Sequence, residues 1–564
     1  MYYKSLFPDL PKVPESNVHH LLFNRPDQRE WPDYTLFVNV ATGQRRSFRE
    51  FVERVRDGAT ALGADVTQGG LGLRPEDGEL VGILSENCPD YVALLHSLLA
   101  ITVPFALFSF YSTPCEFKYA NSLVQATRIF ASPSLLQLAL TSGLPADRIY
   151  LLEGENTGYT SFEQFISSAR RNGVPRLPVR HATKDTLAYL MYSSGTSGPP
   201  KAVMVSHGNI TAVTLSTMVN GKEMAKTQAP VWNTPDGLEV SFNVLPLFHT
   251  IGLTTTGFFS FVKRSTIVML PKWDIDIFFD SIPKYHITTT YLRASFLHQL
   301  VHHPRFKTAD MKSVKTIGSG GAYLPPQLAD QVCARFTDMP RVTERYGMTE
   351  LTTSIAMTPI PGMLNGRAKY KPGSAGILLP GVEARVVRPD GSLAGPNEAG
   401  ELLVRGGSVA LGYKGNDKAT RETFVDGWVR TGDQIRIDED EVLLTHSKSQ
   451  ACKFLPVEIE DTILAQPDKL ITDVSVAGVS GGWTSDERIP RAWIVLSAAG
   501  AALGEKEVVT RLDAWVQQRL SWFKWLTGGI EILEVIPKSP TGKALRRVLV
   551  EGYEKDVKLL AKLH

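Results

Sequence analysis

The chain has 564 residues, of which 43% are hydrophobic and 21% are charged, and this composition supports a large folded core. It excludes a disordered or low-complexity chain and a small disulfide scaffold. Sixty Lys and Arg residues against 58 Asp and Glu residues leave a net charge of +2. So small a charge argues against a nucleic-acid-binding surface and favours a protein that acts on small molecules.

The cysteines and the N-terminus favour a chain that stays inside the cell. Its four cysteines lie far apart and match neither a zinc-site spacing nor a disulfide framework, so we expect buried thiols in a reducing compartment. No long apolar run follows a basic start, which argues against a secretory signal. The most apolar stretch, 98–111, is interrupted by Pro104 and is shorter than the roughly 20 residues of a membrane-spanning helix. We predict a cytoplasmic protein without a transmembrane segment.

Hydrophobic periodicity in the N-terminal part predicts alternating helices and strands. Apolar residues at three- and four-residue steps follow the N-cap candidate Ser47 and predict a helix through Leu62. A short apolar strand at 80–84 precedes a helix at 91–100. Further strand candidates lie near Val103 and at 128–130 and 149–152. Strands that alternate with helices predict an α/β body with a largely parallel sheet.

The pattern changes in the last third of the chain. Turn signals such as 388–391 separate short β-rich runs and predict a β subdomain at about 380–434. An acidic turn at 438–441 is expected to be solvated. We predict an N-terminal domain, 1–440, and a C-terminal α+β domain, 441–564, of ordinary domain size. The elements predicted in the second domain are strands at 474–479, 492–496 and 530–536 and a helix at 508–520.

A segment rich in glycine and hydroxyl residues, 192–201, follows the apolar run 187–191. Glycines let backbone N–H groups approach an anion, hydroxyl groups add donors and Lys201 adds positive charge, so this composition suits a polyphosphate. The spacing of the common P-loop is absent, and Pro199-Pro200 disfavours a helix start. A flexible surface linker has a similar composition. By itself this segment leaves a nucleotide loop and a linker as alternatives.

Together with five later blocks, this segment resembles the adenylate-forming superfamily, which includes acyl- and aryl-CoA synthetases, luciferases and the adenylation domains of peptide synthetases. The six blocks are YSSGTSGPPK from Tyr192, LPLFHTIGL from Leu245, GSGGAYLP from Gly318, ERYGMTE from Glu344, GWVRTGD from Gly427 and PKSPTGK from Pro537. Their arrangement is most similar to acyl-CoA ligases of the 4-coumarate–CoA ligase type. The resemblance implies a large α/β N-terminal body of several subdomains and a small, mobile C-terminal α+β domain.

The same resemblance implies that a carboxylic acid attacks ATP to form an acyl-adenylate and diphosphate, and that coenzyme A then accepts the acyl group. Thr196 and its neighbours would hold the β- and γ-phosphates, and Glu350 with Thr196 would bind Mg²⁺. Thr349 would donate to the α-phosphate. Asp433 would accept hydrogen bonds from the ribose hydroxyls. Lys543 would bridge the acid and the α-phosphate.

The resemblance assigns four groups of site residues. The catalytic residues are Lys543, His249, Thr349 and Glu350. The nucleotide-binding residues are Ser193, Ser194, Gly195, Thr196, Ser197, Gly198, Lys201, Gly320, Gly321, Ala322, Glu344, Tyr346, Gly347, Thr349, Asp433 and Lys543. The acid-binding residues are His249, Thr250, Arg293, Gly318, Gly320 and Met348. The metal ligands are Thr196 and Glu350. Taken singly, Glu350 could be a surface carboxylate, Asp433 part of a turn and Lys543 one of several solvated basic residues.

His249 indicates the class of acid. Amino-acid-activating relatives usually carry an aspartate here, and without an acidic side chain a substrate ammonium would be buried without compensation. This favours a carboxylic acid that lacks the amine, and the resemblance implies an aryl, phenylpropenoic or medium-chain acid. His249 would be a gate between the acid pocket and the thiol tunnel or a core histidine. Arg293 stands where coumarate-type ligases have apolar residues. It would contact a polar substrate tail or extend from a helix into solvent.

The joint between the predicted domains departs from the family pattern. Thr445 and His446 replace an aspartate and an arginine of the hinge, and Ala451 lies in a loop that has lost its glycine and about four residues. This loop normally completes the thiol tunnel when the small domain rotates. Transfer of the acyl group to an amine or a carrier protein is therefore the alternative to CoA, and a non-catalytic adenylate-binding protein is a third. The stretch 561–563 is similar to a peroxisomal address only if His564 is not native.

Overall fold

The computed structural model describes residues 1–193, 200–227, 231–322, 324–336, 341–445, 456–481, 488–538 and 544–560. These residues divide into two compact units. The larger unit contains 1–110, 121–193 and the described residues between 202 and 445. The smaller unit contains 111–120, 200–201 and the described residues from 456 onwards. The domain boundary at 440/441 stays a prediction.

Across the described residues the strands are β1 (Tyr2–Lys4), β2 (Thr35–Asn39), β3 (Arg45–Ser47), β4 (Val81–Leu84), β5 (Phe105–Leu107), β6 (Arg128–Ala131), β7 (Ile149–Leu151), β8 (Leu187–Ser193), β9 (Lys201–Ser206), β10 (Glu239–Asn243), β11 (Ser265–Met269), β12 (Thr289–Tyr291), β13 (Thr316–Gly320), β14 (Thr343–Gly347), β15 (Ser354–Met357), β16 (Ile377–Leu378), β17 (Val382–Val387), β18 (Gly400–Gly406), β19 (Gly412–Tyr413), β20 (Phe424–Val425), β21 (Trp428–Ile437), β22 (Leu443–Thr445), β23 (Ile471–Val479), β24 (Ile489–Leu496) and β25 (Ile530–Ile532).

The α-helices within the described ranges are α1 (Val18–Phe23), α2 (Phe48–Gly63), α3 (Pro89–Ala100), α4 (Pro114–Val124), α5 (Leu136–Ala139), α6 (Phe162–Arg171), α7 (His207–Thr227), α8 (Thr250–Leu253), α9 (Ile275–Tyr285), α10 (Ala294–His302), α11 (Pro326–Cys333), α12 (Asp417–Thr423), α13 (Pro456–Leu464), α14 (Ala498–Leu503), α15 (Glu505–Arg519) and α16 (Arg546–Leu560). No helix in the part of the chain that is described could span a bilayer.

The sheet that positions the candidate site has nine described strands, in the order β16-β15-β14-β13-β12-β10-β11-β2-β3. Neighbouring strands from β2 to β14 run parallel. Both faces of a parallel sheet are normally covered by helices, and the strands here carry buried Val, Ile and Phe side chains. The carboxyl ends of β10, β12 and β13 therefore lie at one edge of this sheet.

A second sheet of the larger unit follows the order β19-β9-β8-β5-β4-β6-β7. Its strands β4 to β8 pair in parallel, which confirms the predicted α/β body. Helix α2 begins after Ser47, whose hydroxyl accepts the Glu50 N–H, and its apolar stripe is buried as predicted. The strand predicted near Val103 begins at Phe105, because Thr102 adopts a left-handed turn conformation, with φ 57°, after α3.

The β-rich part is an antiparallel sheet in the order β1-β17-β18-β21-β20, with β22 paired to β21. Strand β1 joins its edge and was not predicted, since three residues are too few to show a period. In the smaller unit, β23 and β24 are antiparallel and β25 lies parallel to β24. Helix α15 buries Val508, Leu512 and Val516. The strand predicted at 530–536 ends at Ile532.

Two expectations about solvent exposure hold only in part, since Glu439 and Asp440 of the acidic turn are exposed but Asp438 is not. Asp438 in the acidic turn is buried; its carboxylate accepts the N–H groups of Asp440 and Val442, both at 3.0 Å, and binds Lys371 at 2.6 Å. The side chain therefore organises the turn instead of being solvated by water. Cys115 is exposed near the start of α4, whereas Cys88 is buried. Wide spacing in the sequence excluded paired cysteines but did not indicate which thiols face solvent.

Candidate active site

Three neighbouring parallel strands of the larger unit end in residues that the sequence assigns to the acid pocket. His249 follows β10, Arg293 follows β12, and Gly318 and Gly320 lie in β13. The Leu292 N–H donates to the Gly318 carbonyl at 2.9 Å, so β12 and β13 stay paired up to this edge. Ligands of open α/β sheets bind outside the carboxyl ends of parallel strands. The sheet therefore brings these predicted residues to the edge where a ligand is expected.

Two glycines of β13 leave no room for side chains, and a third follows the strand in a conformation that favours glycine. A Cβ on Gly318 would overlap the ring of Tyr291, and one on Gly320 would lie 2.8 Å from a backbone carbonyl oxygen of β14. Gly321 has φ 75°, which favours glycine. A Cβ on Gly321 would lie 3.4 Å from the side chain of Ile251 in α8. The backbone of this loop, which continues into Ala322, therefore borders α8 directly.

His249 precedes α8 and is exposed. Solvent reaches the ring, but the surrounding protein atoms desolvate it and lower its pKa, and the charge of Arg293 lowers that pKa further, to about 4. The imidazole is therefore neutral near pH 7. The next residue, Thr250, is buried, and its hydroxyl donates to the Thr352 carbonyl oxygen. This hydrogen bond ties the start of α8 to the turn that follows Glu350.

Arg293 is the N-cap of α10, and its carbonyl accepts the N–H groups of Phe296 and Leu297 at 2.9 and 3.1 Å. The guanidinium carbon lies 4.5 Å from the centre of the Phe296 ring. The residue is half-buried. Both alternatives for Arg293, contact with a polar substrate tail and extension from a helix into solvent, stay predictions.

Strand β14 carries Glu344 and Tyr346. Burial raises the pKa of Glu344 to about 7. The Tyr346 hydroxyl donates to Asp433 at 2.6 Å, and burial raises the pKa of Asp433. A Cβ on Gly347, at the end of β14, would overlap the Thr353 carbonyl oxygen, so no residue with a side chain fits at this position. Asp433, which has no visible partner in the sequence, is thus oriented by a neutral hydroxyl.

The turn after β14, Thr349–Leu351, holds a buried carboxylate. Glu350 is only 4% exposed, and its Oε1 accepts a hydrogen bond from the Tyr413 hydroxyl at 2.8 Å. Tyr413 belongs to β19, which pairs with β9 at Val203. Thr349 is half-buried beside Glu350, and Met348 packs against the β-rich sheet. Sequence reasoning missed Tyr413, and its only signal was a Gly-Tyr pair within a β-rich run.

Several predicted residues lie outside the described residues. They are Ser194, Gly195, Thr196, Ser197, Gly198, His446, Ala451, Lys543 and the stretch 561–564. Ser193 is buried at the end of β8, Lys201 is half-buried at the start of β9, and Thr445 ends β22. Within the described part no three His, Cys, Asp or Glu side chains converge to hold a metal. A magnesium ion bound mainly by phosphates and water needs only one or two protein carboxylates, so Glu350 fits this role.

Comparison with known proteins decides the family. The AMP-binding enzyme family matches residues 25–414, more than half of the chain. The chain belongs to this family. It is similar to a probable 4-coumarate–CoA ligase of Dictyostelium discoideum, with 29% identity over 97% of both chains. This AMP-binding enzyme shares its fold with an amide bond synthetase of Marinactinospora thermotolerans (TM-score 0.76, 20% identity, 95% and 99% of the two chains covered). It also shares it with o-succinylbenzoate CoA synthetase of Bacillus subtilis (TM-score 0.73, 21% identity, 94% and 97% covered).

The family assignment confirms the predicted adenylate-forming enzyme and its α/β fold. The matched region of this AMP-binding enzyme includes Glu350 and Tyr413 but ends before Asp433 and Lys543.

Proposed function

We propose that this AMP-binding enzyme is an acid–CoA ligase that consumes ATP with magnesium. It joins a carboxylic acid to AMP, releases diphosphate and then transfers the acyl group to coenzyme A. The observation that carries the proposal is the pair of carboxylates in the larger unit, Glu350 and Asp433, each held by a tyrosine hydroxyl. Among the described residues neither carboxylate forms a salt bridge that would cancel its charge, which suits one to a metal–phosphate complex and the other to a ribose.

In the first step a carboxylate oxygen of the acid attacks the α-phosphorus of ATP, and the bond from that phosphorus to the bridging oxygen breaks as diphosphate leaves. Bound Mg²⁺ would neutralise charge on the phosphates. Glu350 would orient this ion through the carboxylate oxygen that Tyr413 does not hold. Thr349 would donate to the α-phosphate, and Lys543 would stabilise charge that develops between acid and phosphate. Asp433 would accept the ribose hydroxyls.

The wall of the acid pocket favours an acid without an α-ammonium group. His249 is neutral near pH 7 and carries no negative charge, so it cannot compensate a buried ammonium. A Cβ on Gly321 would lie 3.4 Å from the side chain of Ile251, so the glycine loop after β13 lies close to an apolar side chain. Aryl, phenylpropenoic and medium-chain acids suit this surface, and identification of the acid requires experiment.

In the second step the thiol of coenzyme A loses its proton, its sulfur attacks the acyl carbon, and AMP leaves. Transfer to an amine or a carrier protein is the competing proposal. It is favoured by Thr445, which replaces a hinge aspartate of the family pattern, and it suits the fold shared with an amide bond synthetase. In that case the attacking atom is nitrogen or a carrier thiol, and the adenylation step is unchanged.

The proposal is tested by diphosphate exchange into ATP across a panel of aryl, phenylpropenoic, medium-chain and dicarboxylic acids, with and without CoA. Exchange that depends on an acid, together with AMP release that depends on CoA, supports the ligase. Exchange without CoA-dependent AMP release, but with amide formation from added amines, supports the alternative. If the chain binds AMP but none of the acids in the panel supports diphosphate exchange, both proposals are overturned.

Lys543→Ala should reduce exchange by about 100-fold or more, because a cation that stabilises the transition state is lost. Consumption of a preformed acyl-adenylate by CoA should be retained. Lys538→Ala is the matched control: this lysine lies five positions earlier and pairs with Asp473 at 2.6 Å in the smaller unit. Exchange by Lys543→Ala at the rate of the control would contradict the role given to Lys543.

A further inference from the structure

Two glycines of β13 leave one face of the nine-stranded sheet without side chains. Residues two positions apart on a strand point to the same face, so Gly318 and Gly320 share it. The Tyr291 ring occupies the position that a Cβ on Gly318 would take. At Gly320 the nearest apolar atom to that position is Cδ1 of Ile251, at 3.6 Å. Gly320 and Ile251 are half-buried, so solvent reaches this part of the face.

Arg345 of β14 lies on the same face. It is the register partner of Gly320, and its Cβ is 3.6 Å from the position that a Cβ on this glycine would take. The Arg345 side chain therefore leaves the sheet on the side that Ile251 of α8 covers. Since α8 begins directly after His249, this is the side of the proposed acid pocket. Strand register and atomic distances thus place the arginine at the pocket.

The charge of Arg345 has no partner in the part of the chain that the structure describes. The side chain forms neither a hydrogen bond nor a salt bridge with a described residue, and its Nε atom is buried. The adjacent carboxylate, Glu344, points to the opposite face, because side chains alternate along a strand. Buried donors of folded proteins are normally satisfied, and an unsatisfied donor is most costly on a charged group. The Arg345 guanidinium is therefore suited to bind an anion.

The chemistry of the guanidinium selects the kind of anion. Its planar fork of N–H donors matches a carboxylate, with two parallel charge-assisted hydrogen bonds. A purely apolar acid tail over Gly320 would remove water from the cation and give no hydrogen bond in return. The Tyr291 ring and the Ile251 side chain offer apolar contacts to a carbon skeleton. An acid with a carboxylate at each end suits this combination.

We infer that the acid substrate carries a second carboxylate, which Arg345 binds while the first carboxylate is adenylated. The carbon skeleton would lie over Gly320, between Tyr291 and Ile251. This makes Arg345 a specificity-determining residue that contacts the substrate away from the reacting carboxylate. The inference rests on the proposed function.

The test compares dicarboxylic acids with their monomethyl esters, which have the same skeleton and one charge fewer. The panel contains the unbranched acids from propanedioic to octanedioic acid and benzene-1,4-dicarboxylic acid, and the readout is kcat/KM for acid-dependent diphosphate formation. The wild type should prefer the diacid by about 10- to 100-fold, the range of hydrogen bonds to a charged group. The preference should peak at one or two chain lengths, because β14 holds the guanidinium in place. Equal use of diacid and half-ester in every pair would overturn the inference while the proposed function stands.

Arg345→Met removes the charge and keeps an unbranched side chain, so it should erase or reverse the preference for the diacid. Arg345→Lys keeps the charge without the planar fork and should retain part of the preference. The ratio compares two acids on the same enzyme, so a loss of folded protein does not change it. A purely structural role of Arg345 predicts an equal loss for both members of each pair, and an unchanged ratio in Arg345→Met would overturn the inference.

Arg385→Met is the matched control. Arg385 is also a half-buried strand arginine with a buried Nε that lacks a hydrogen bond, but it lies in β17, with its guanidinium carbon 4.4 Å from the centre of the Trp428 ring. This variant should keep the wild-type ratio. If it loses the ratio as Arg345→Met does, the inference is overturned. A wild type that forms diphosphate with no acid overturns the proposed function and this inference with it.

Discussion

Carboxylates at the candidate site and carboxylates in the helical part of the larger unit have different partners. At the site, tyrosine hydroxyls donate to Glu350 at 2.8 Å and to Asp433 at 2.6 Å. In the helical part, Asp90 of α3 is bound at 2.6 Å by Arg46 of β3 and at 2.6 Å by Arg54 of α2. A hydroxyl orients a carboxylate and leaves its negative charge available, whereas two guanidinium groups neutralise it. If the proposed function is right, the first kind of carboxylate serves ligands and the second serves the fold.

The smaller unit also contains carboxylates that are neutralised by a basic side chain, in this case a lysine. Lys524 binds Glu116 at 2.6 Å and Glu458 at 2.7 Å, and the three side chains are largely buried. Removing one partner from such a cluster leaves a buried charge without compensation, which typically costs about 3–5 kcal/mol. Removing the charge of a carboxylate held only by a hydroxyl has no such penalty. Substitutions at the two kinds of carboxylate should therefore have opposite effects on stability and activity.

The largest expected effect comes from Glu350→Gln, compared with Asp90→Asn. Glu350→Gln should lower diphosphate exchange by about 10²- to 10³-fold, since it removes preorganised charge next to the metal–phosphate complex, and it should leave the urea midpoint nearly unchanged. Asp90→Asn should lower the free energy of unfolding by about 3–5 kcal/mol and leave kcat/KM of the folded enzyme within a few-fold. Exchange assays and urea titrations of both variants measure these opposite effects on activity and stability. If Glu350→Gln loses stability as Asp90→Asn does, Glu350 is structural.

A smaller effect is expected from Tyr413→Phe, which keeps the ring and removes the hydrogen bond to Glu350. Loss of an outer partner typically weakens a metal site by about 10- to 100-fold, so the Mg²⁺ concentration for half-maximal exchange should rise by this factor. Binding of Mn²⁺ in the presence of ATP, followed by its paramagnetic signal, should weaken in parallel. Tyr370→Phe, at a tyrosine stacked with Arg341, is the control and should behave as the wild type. A lower rate at unchanged metal dependence would contradict a positioning role for Tyr413.

The smallest effect concerns stability and pH. Burial raises the pKa of Asp433, so the folded state binds more protons above the unfolded pKa of about 3.8, and stability falls as pH rises through this window. Asp433→Asn removes this loss and should be more stable than wild type at pH 7, with a difference that shrinks towards pH 4. ATP affinity should fall in the same variant.

Glu116 should show the opposite dependence on pH. Burial raises its pKa, but Lys524 and its hydrogen bonds outweigh burial and lower it overall, so its contribution is present above the unfolded pKa and is lost as pH falls through the folded value. Glu116→Gln should therefore destabilise the protein at pH 7 and approach the wild type in acid. Urea titrations between pH 3.5 and 7 measure both variants. Equal pH slopes for Asp433→Asn and Glu116→Gln would remove the distinction between the two kinds of carboxylate.

Local chemistry in the sequence predicted much of the fold. The capping box of Ser47 and Glu50 marked the start of α2, and short apolar runs located β4, β6 and β7 to within a few residues. Strand β1 escaped prediction because its three residues take their place from pairing with β17. The burial of Asp438 escaped for a similar reason, since its partner Lys371 lies 67 positions away.

The sequence by itself determined the family and the chemistry of its residues, because motif order and side-chain type are properties of a linear chain. It located Glu350, Asp433 and the glycines in β13 and directly after it. Only the tertiary structure decided that Tyr413 faces Glu350 across 63 positions and that Tyr346 faces Asp433 across 87. Such pairs depend on how strands align and pack, and no periodicity or local preference along the chain encodes the distance between two of its distant residues.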